Sequence, residues 1–550
     1  MRRLILVFVF SVFALTANAA TLWWVDPVNG SDSNDGLSVA SAFLTLQHAE
    51  SGHAIAGDTV YGLSGTYLGS STTTDVLDIF TSGLSGRPIT WQCYPGPPKQ
   101  ACIIAAQAQT HVVHIAGNYV TFENWEIAGP AQTITLAAAL TNAASTTWNT
   151  SGLYNGTGLM VDNNGAGGTT HHVIVQNNRI HDFAAAGIDV GASDYVNVIG
   201  NVVYNCANWS PFASSCITAF GNKALDSNGY INFTGNTAYN GITYMPNTVD
   251  YNTNSGFVGI PITPTASNTY PVGTTTIQIS TTNAPSGAVH AITPVTAGMA
   301  IYDVTTPGAL AKFTIITTVT AGTPGTVTFN NTGATATINS GDTLLIGFMS
   351  DGECFNMDDE EGSNPPTTWY RNPINVTNNL AFGCGSAGFQ SFRNWNTRFS
   401  FNTAASDMNV PASLIENYGV GEIYINWDLA GGPGSTIVGN IVVPSGNNKA
   451  AWGTYVPSGS PASTWTCNLQ YGGSNTLPGS GNISGNPLFV NPWNGSAVNE
   501  SDLTVNFQIL PGSPAEDAAC GASTVTFPTF DILNNPRPAG PGTDMGAYEE

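Results

Sequence analysis

The segment VIVQNN at residues 173–178 alternates apolar and polar residues and then ends in Asn178. The same pattern returns along the chain, as VNVIGN at 196–201, INFTGN at 231–236, INVTNN at 374–379 and, more weakly, TRFSFN at 397–402 and STIVGN at 435–440. The last Asn of one segment follows the last Asn of another by about 23 residues in two of the steps, and longer steps require inserted loops. Alternation within each segment indicates a short strand with one buried face.

A repeat of this length with a strand and a fixed Asn predicts a β-solenoid, in which successive coils stack with strands ~4.8 Å apart. An Asn suits the repeated turn because it tolerates left-handed backbone geometry and its amide can bond the Asn above and below. We therefore expect one ladder made of Asn178, Asn201, Asn236, Asn379 and Asn402. A β-sandwich would not repeat one Asn at a constant period.

The charge balance limits the partners of this chain. Charged residues make up 9% of it, the formal net charge is −23, and Lys and Arg number 12. We therefore do not expect nucleic acid as a partner, because binding its phosphates requires many basic residues.

The N-terminus predicts export. Arg2 and Arg3 precede an apolar run that ends before an Ala-Asn-Ala site, so residues 1–19 are expected to be a signal peptide. The run is too short for a membrane span, and no later stretch is long enough. The mature protein is expected outside the cytoplasm, either extracellular, on the cell surface or periplasmic.

Eight cysteines fit an oxidising compartment. They occur as near neighbours, so we expect disulfides between sequential cysteines: Cys93 with Cys102, Cys206 with Cys216, Cys354 with Cys384, and Cys467 with Cys520.

Both ends of the mature chain resemble known secreted proteins. Residues 24–67 (WVDPVNGSDSNDG…AGDTVYGLSGTY) resemble the N-terminal cap of bacterial pectate-lyase-like right-handed parallel β-helix proteins, where a short helix, here 44–50, closes the coil. Residues 486–550 (NPLFVNP…GTDMGAYE) resemble the choice-of-anchor Q domain of secreted bacterial β-helix proteins. The resemblance implies an all-β, right-handed parallel β-helix and, because one fold serves many chemistries, no particular activity.

The expected organisation has five parts. A signal peptide (1–19) is followed by the cap and the first part of the coil (20–241). The Asn pattern then disappears and Thr, Val and Ile dominate, which predicts an inserted all-β domain at 242–347. The second part of the coil (348–485) and the C-terminal region (486–550) complete the chain.

Polar residues at outward positions of successive coils would line a groove. Alternation predicts that Asp162, Asp189 and Asp358 face it, with Arg393 at its edge, and these four are the candidate catalytic residues. Paired carboxylates several ångströms to ~10 Å apart suit acid–base cleavage of glycosidic bonds. The candidate substrate-binding residues are Asn356, Gln390, Tyr424 and Asn426.

An acidic cluster at 351–361 predicts a Ca²⁺ site with Asp351, Glu353, Asp358 and Asp359 as ligands, since Ca²⁺ prefers oxygen ligands. A solvated acidic loop is the alternative. The histidines at 114, 171, 172 and 181 are further candidates for a general base.

Three functions remain open. The favoured one is a secreted glycoside hydrolase that acts on polysaccharide. The second is a Ca²⁺-dependent lyase of uronic-acid glycans, for which the resemblance implies a Lys or Arg base; no Lys lies between Lys312 and Lys449, which counts against it. The third is a non-catalytic surface or adhesion protein.

Overall fold

The protein is a right-handed parallel β-helix with an inserted all-β domain, seen in a computed structural model. The structure describes residues 19–69, 74–96, 101–143, 145, 150–163, 168–210, 214–246, 268–283, 295–330, 333–347, 349, 352–358, 370–410, 421–426, 428–446, 448–452, 461–495, 505–520 and 527–550. The expected signal peptide therefore lies outside the described residues, apart from its last position. No helix within these ranges is long and apolar enough to cross a membrane.

Three long parallel sheets run along the coil. Sheet 1 has nine strands: Leu77–Ile79, His111–Ile115, Thr157–Val161, Ile188–Gly191, Ile217–Phe220, Phe355–Asp358, Phe389–Phe392, Gly421–Ile425 and Lys449–Trp452. Sheet 2 has eleven strands: Leu22–Val25, Thr59–Gly62, Ile89–Cys93, Val120–Glu123, Thr170–Gln176, Ser193–Ile199, Ile231–Thr234, Ile374–Thr377, Thr397–Ser400, Thr436–Val438 and Thr464–Thr466. Sheet 3 has eleven strands: Gly65–Leu68, Cys102–Ala105, Glu126–Ala128, Arg179–His181, Val202–Tyr204, Thr237–Tyr239, Leu380–Phe382, Thr403–Ala405, Ile441–Val443, Leu469–Gln470 and Ile483–Ser484.

The expected Asn ladder is confirmed and is longer than predicted. The Oδ1 atom of Asn201 accepts hydrogen bonds from both the backbone N and the Nδ2 of Asn178, each at 3.0 Å. The same double contact repeats up the coil, through Asn236, Asn379, Asn402, Asn440, Asn468 and Asn482. Each amide also donates to a backbone carbonyl, as Asn236 Nδ2 does to Val198 O at 2.9 Å. From Asn178 to Asn468 the ladder amides are buried with their donors and acceptors paired, and Asn482, at the end, is partly exposed.

Left-handed backbone geometry occurs one residue earlier than expected. The ladder Asn itself does not have a positive φ angle. The positive φ angles, between 53° and 71°, belong to the residues just before it: Asn177, Gly200, Gly235, Asn378, Phe401, Gly439, Cys467 and Gly481. Gly and Asn suit this conformation, which explains why Gly-Asn and Asn-Asn pairs mark the turns.

A short cap closes the N-terminal end of the coil. The helix Leu46–Glu50 buries Leu46 and Ala49 in the same core as the first strands of sheet 1. Its Glu50 carboxylate accepts hydrogen bonds from the backbone N–H groups of Phe80 and Thr81. The helix predicted at 44–50 is confirmed within two residues. The 3₁₀ turn Val39–Ser41 precedes it.

The inserted segment forms antiparallel strands, as predicted, and has its own apolar core. The strands are Thr276–Ile279, Ala300–Asp303, Ile316–Thr320, Gly325–Phe329 and Leu344–Gly347. Tyr302 packs against the turns that join sheet 3 to sheet 1, and its hydroxyl donates to Tyr244 O. The Lys312 ammonium lies 4.4 Å from the ring centroid of Trp209 and 3.7 Å from that of Tyr244. The insert is thus fixed beside the strand starts of sheet 1.

Further elements surround the coil. The helices Leu136–Ala143 and Gly152–Asn155 and the 3₁₀ turn Ala131–Thr133 precede the Thr157–Val161 strand. In the C-terminal region, an antiparallel pair, Phe489–Asn491 and Asn506–Ile509, covers the outer face of sheet 3. There, Phe507 packs on Phe382, the end of an aromatic stack that starts at His181.

All four sequential disulfides are present, as expected: Cys93–Cys102, Cys206–Cys216, Cys354–Cys384 and Cys467–Cys520.

The ladder predicts a large difference between two neighbouring Asn residues. In Asn236→Ala, both donors of Asn201 lose their acceptor and Val198 O loses its donor, so we expect a loss of about 3–5 kcal/mol in unfolding free energy. Asn232 is half-buried on the outer face of sheet 2, where each Asn makes only one side-chain hydrogen bond to the next Asn of its row. Asn232→Ala should therefore lower the unfolding free energy by under about 1 kcal/mol. Urea denaturation measures both; equal losses would contradict the role of the buried ladder.

Candidate functional site

The outer face of sheet 1 carries one continuous row of mostly polar side chains. Strand pairing places one residue of this row on each of eight neighbouring strands, in the order Asp78, His114, Met160, Asp189, Thr218, Asn356, Gln390 and Tyr424. We call this set the polar row. Residues on either side of it in each strand point into the core. Most side chains of the polar row are buried, so the row is covered rather than an open surface. We call the outer face of sheet 1 along this row the groove.

A second outward row lies two residues further along each strand. Asp358 pairs with Phe220 and Phe392 in this row. Asp162 and Asn426 occupy matching positions just after their strands. There, their backbone N–H groups still hydrogen-bond the carbonyl oxygens of the neighbouring strands of sheet 1. Arg393 follows Phe392 at the groove edge, with a φ of 55° and its guanidinium 5.7 Å from the Phe392 ring.

The predicted site residues therefore divide into four groups. Seven of them lie on the outer face of sheet 1: Asp162, Asp189, Asp358, Asn356, Gln390, Tyr424 and Asn426. Arg393 lies at its edge. Asp351 and Asp359 lie outside the described residues, and Glu353 is inside the protein.

Asp189 has the perturbed ionisation expected of a catalytic acid. Its half-buried carboxyl accepts a hydrogen bond of 3.3 Å from Thr157 Oγ1 and another from the Thr218 hydroxyl. Burial raises the pKa of Asp189 to about 7, against these two hydrogen bonds and the opposing charge of His111. The nearby charge of Asp162 adds to the rise. Near neutral pH this carboxyl is therefore divided between its protonated and ionised forms.

His114 lies between two carboxylates at the N-terminal end of the polar row. Its Nε2 is 2.7 Å from Asp162 Oδ1, and its Nδ1 is 3.1 Å from Asp78 Oδ1. Burial opposes a charge on the ring, but the hydrogen bond to Asp162 and the negative charges of Asp162 and Asp78 raise the pKa of His114 to about 9. From the sequence, His114 was a candidate general base without an assigned hydrogen-bond partner.

His181 does not join this site. It stacks on Tyr204 on the outer face of sheet 3, with ring centroids 4.9 Å apart. Asp182 and Glu126 both hydrogen-bond its ring. Burial opposes a charge on this ring as well, but the two carboxylates raise the pKa of His181 to about 9. It is therefore a structural ion pair away from the groove.

Glu353, which was expected to be a Ca²⁺ ligand, does not face the groove. The strand begins at Phe355, and Glu353 lies before it with 1% of its surface exposed. The Ser215 and Ser386 hydroxyls donate to its two carboxylate oxygens at 2.7 and 2.8 Å, and burial raises its pKa. Five extended residues span about 16 Å, so Glu353 and Asp358 cannot hold one Ca²⁺ ion. Glu353 is therefore not a co-ligand of Asp358, and a Ca²⁺ site formed by Asp351, Asp358 and Asp359 stays a prediction.

Comparisons with known proteins add the following. No protein-family model and no curated protein matches this chain. Among solved structures it is similar to a pectate lyase, Pel9A, with a TM-score of 0.46, 14% identity, and coverage of 97% of this chain and 98% of that one.

It is also similar to a GH136 lacto-N-biosidase from Eubacterium ramulus, with a TM-score of 0.37, 11% identity, and coverage of 84% and 67% of the two chains. For an alginate lyase from Paenibacillus sp. str. FPU-7 the TM-score is 0.37, the identity 11%, and the coverage 80% and 95%. Similarity at this level assigns neither a substrate nor a reaction to this chain.

The position of Glu353 predicts that it plays no part in any response to Ca²⁺. Glu353→Gln keeps an oxygen acceptor for one serine hydroxyl and offers the other an amide N–H donor, which a hydroxyl oxygen can accept, so the variant should fold with a melting temperature close to that of the parent. Any rise in melting temperature on adding Ca²⁺ should be the same in both proteins, and Asp358→Asn should reduce it if Asp358 is a ligand. A calcium response that disappears in Glu353→Gln would contradict this placement.

Proposed function

We propose that this protein is a secreted enzyme that cleaves glycosidic bonds of polysaccharide chains in the groove of sheet 1. The observation that carries the proposal is Asp189, a groove carboxyl whose pKa is raised by burial to about 7. A general acid is most effective when its pKa lies near the working pH. The continuous row over eight strands suits an extended ligand, and four disulfides suit an oxidising compartment outside the cytoplasm.

Asp162 is the favoured partner of Asp189 in hydrolysis. The two lie on adjacent strands, two residues out of register, so their backbones are about 8 Å apart. Asp358 lies two strands away with the same offset, at about 12 Å. Inverting glycosidases hold their carboxyl groups ~6.5–9.5 Å apart, which favours Asp162 over Asp358 as the base.

In this mechanism Asp189 transfers its proton to the glycosidic oxygen as the bond to the anomeric carbon breaks. A water molecule attacks that carbon, and the Asp162 carboxylate takes the proton that the water releases. The contact of His114 Nε2 with Asp162 Oδ1 holds this carboxylate in place.

Further along the groove the side chains are suited to binding. Asn356 Oδ1 is buried and accepts no hydrogen bond from the described residues, so a sugar hydroxyl would satisfy it. Gln390 and Tyr424 continue the row on the next two strands. A neutral glycan suits this groove better than an anionic one, because the groove already holds several carboxylates.

A lyase is the second candidate, and Arg393 is the observation that favours it. It is the basic residue that follows a sheet 1 strand at the edge of the second outward row. It lies three strands from Asp189, about 14 Å along the coil, so a lyase would use a different part of the groove.

The test uses Asp189→Asn with Asp226→Asn as the control, since Asp226 is an exposed carboxylate that bonds Tyr195 away from sheet 1. The parent protein and both variants, in their mature forms, are incubated with a panel of neutral and uronic-acid polysaccharides. New reducing ends and the absorbance of unsaturated products are then measured. We expect reducing ends without unsaturated products, a loss of at least about 10²-fold in Asp189→Asn, and no loss in Asp226→Asn.

The pH dependence follows from the raised pKa of Asp189. The proton needed for catalysis is present below about pH 7 and is lost above it, so the rate should fall roughly tenfold per pH unit on the alkaline side. Full turnover in Asp189→Asn would disprove its role. Unsaturated products would establish the lyase, and no cleavage across the panel would leave the non-catalytic surface or adhesion protein.

A further inference from the structure

Two short motifs lie side by side at the N-terminal end of sheet 1. DVLD at 75–78 and HVVH at 111–114 have the same three-residue spacing between their polar ends. Parallel pairing places Asp78 opposite His114, and the bond from His111 N to Thr74 O continues this register back to Asp75 and His111. Asp75, just before the strand Leu77–Ile79, and Asp78 within it therefore lie beside two imidazoles of the next strand.

The ligand atoms of three of these four side chains converge, and Asp78 lies beside the third, His114. One such atom from each of Asp75, His111 and His114 lies within 4.8 Å of the other two. His111 Nδ1 is 3.0 Å from Asp75 Oδ1, and His114 Nδ1 is 3.1 Å from Asp78 Oδ1. Around a tetrahedral Zn²⁺ ion with ligands at ~2.0–2.1 Å, neighbouring ligand atoms are about 3.3 Å apart. The two nitrogen–oxygen separations are close to that value.

The contact between His114 and Asp78 does not have the geometry of a hydrogen bond. Asp78 Oδ1 is buried and receives no hydrogen bond from the described residues, although His114 Nδ1 is near it. His181 provides the contrast, because both of its carboxylate contacts are hydrogen bonds. A buried acceptor that receives no hydrogen bond is unfavourable, so an ion between the two atoms would stabilise this arrangement.

The surrounding residues hold two of the four groups in position. Asp162 bonds His114 Nε2, which directs Nδ1 towards Asp78, and a carboxylate behind a ligating His is the usual support of a metal site. Gln47, from the N-terminal cap, bonds the backbone N and O of Asp78 at 2.7 and 3.1 Å. The cap thus fixes the strand that carries both acidic residues.

From this geometry we propose that Asp75, Asp78, His111 and His114 bind one divalent transition-metal ion of the zinc class. Two imidazole nitrogens favour such an ion over Ca²⁺ or Mg²⁺, which prefer oxygen ligands. Two carboxylates would balance its charge. The site is distinct from the acidic cluster at 351–361, and its occupancy does not depend on whether the groove cleaves a glycan.

The experiment measures metal binding by the mature protein without any substrate. After treatment with a chelator, the protein is titrated with Zn²⁺ by calorimetry and melted with Zn²⁺, with Ca²⁺ and with chelator. We expect one Zn²⁺ per chain, a rise in melting temperature with Zn²⁺, and a much smaller rise with Ca²⁺. Replacement by Co²⁺ should give visible absorption of a site with nitrogen ligands.

Variants distinguish Zn²⁺ binding at this site from Zn²⁺ binding at other acidic surfaces of the protein. His111→Asn and Asp75→Asn should each lower Zn²⁺ affinity by more than about 100-fold, and Asp162→Asn by about 10–100-fold through loss of support for His114. His181→Asn is the matched control, since His181 also lies between two carboxylates, and it should keep full affinity.

Melting curves in chelator show whether each variant is folded. Zn²⁺ binding that is absent, or unchanged in folded His111→Asn and Asp75→Asn, would overturn the proposal and leave the four residues as ion pairs. Neither result bears on glycan cleavage, which is measured separately with Asp189→Asn.

Discussion

The buried amide ladder is the interaction on which the rest of the coil depends. Each ladder oxygen takes two donors from the coil before it, so a coil displaced by one residue would leave several buried polar groups unpaired. The ladder fixes only one turn of each coil. Asn236 and Asn379 are 143 positions apart and still pair at 3.0 Å, because the insert leaves the coil at a different corner. Stacking in register and freedom to accept large insertions are therefore compatible.

Register is also what assembles the groove. Outward positions on neighbouring strands align only because the coils stack without slipping, and a shift of one residue would turn the polar row into the core. The residues that converge at the N-terminal end, Asp78, His114 and Asp162, come from three separate coils. No local segment of the sequence contains this site; it exists only through the pairing of strands.

This dependence explains what the sequence could and could not predict. The ladder, the disulfide pairs and the outward direction of Asp189 follow from local pattern and spacing. His114 was a candidate general base but was not aligned with Asp162, because the Asn pattern begins at Asn178. In the coil before Asn178, the backbone of Trp125 takes the equivalent place and donates to Asn178 Oδ1. Because the earlier coils lack a ladder Asn, the sequence does not show how their strands align with the later ones. Glu353 was assigned to the acidic cluster by its proximity in sequence, but it precedes the strand that begins at Phe355 and is buried inside the protein.

The polar row is not uniform along the coil, and its direction has a physical meaning. Its N-terminal half holds the ionisable groups Asp78, His114 and Asp189, whereas its C-terminal half holds the neutral side chains Asn356, Gln390 and Tyr424. Burying neutral amides along a groove costs far less than burying charges. Charge is tolerated at the N-terminal end because carboxylates and imidazoles neutralise one another there. A polymer lying along sheet 1 would thus be held by neutral groups and would meet reactive groups at one end, which argues for chemistry at a defined position on the chain rather than uniformly along the groove.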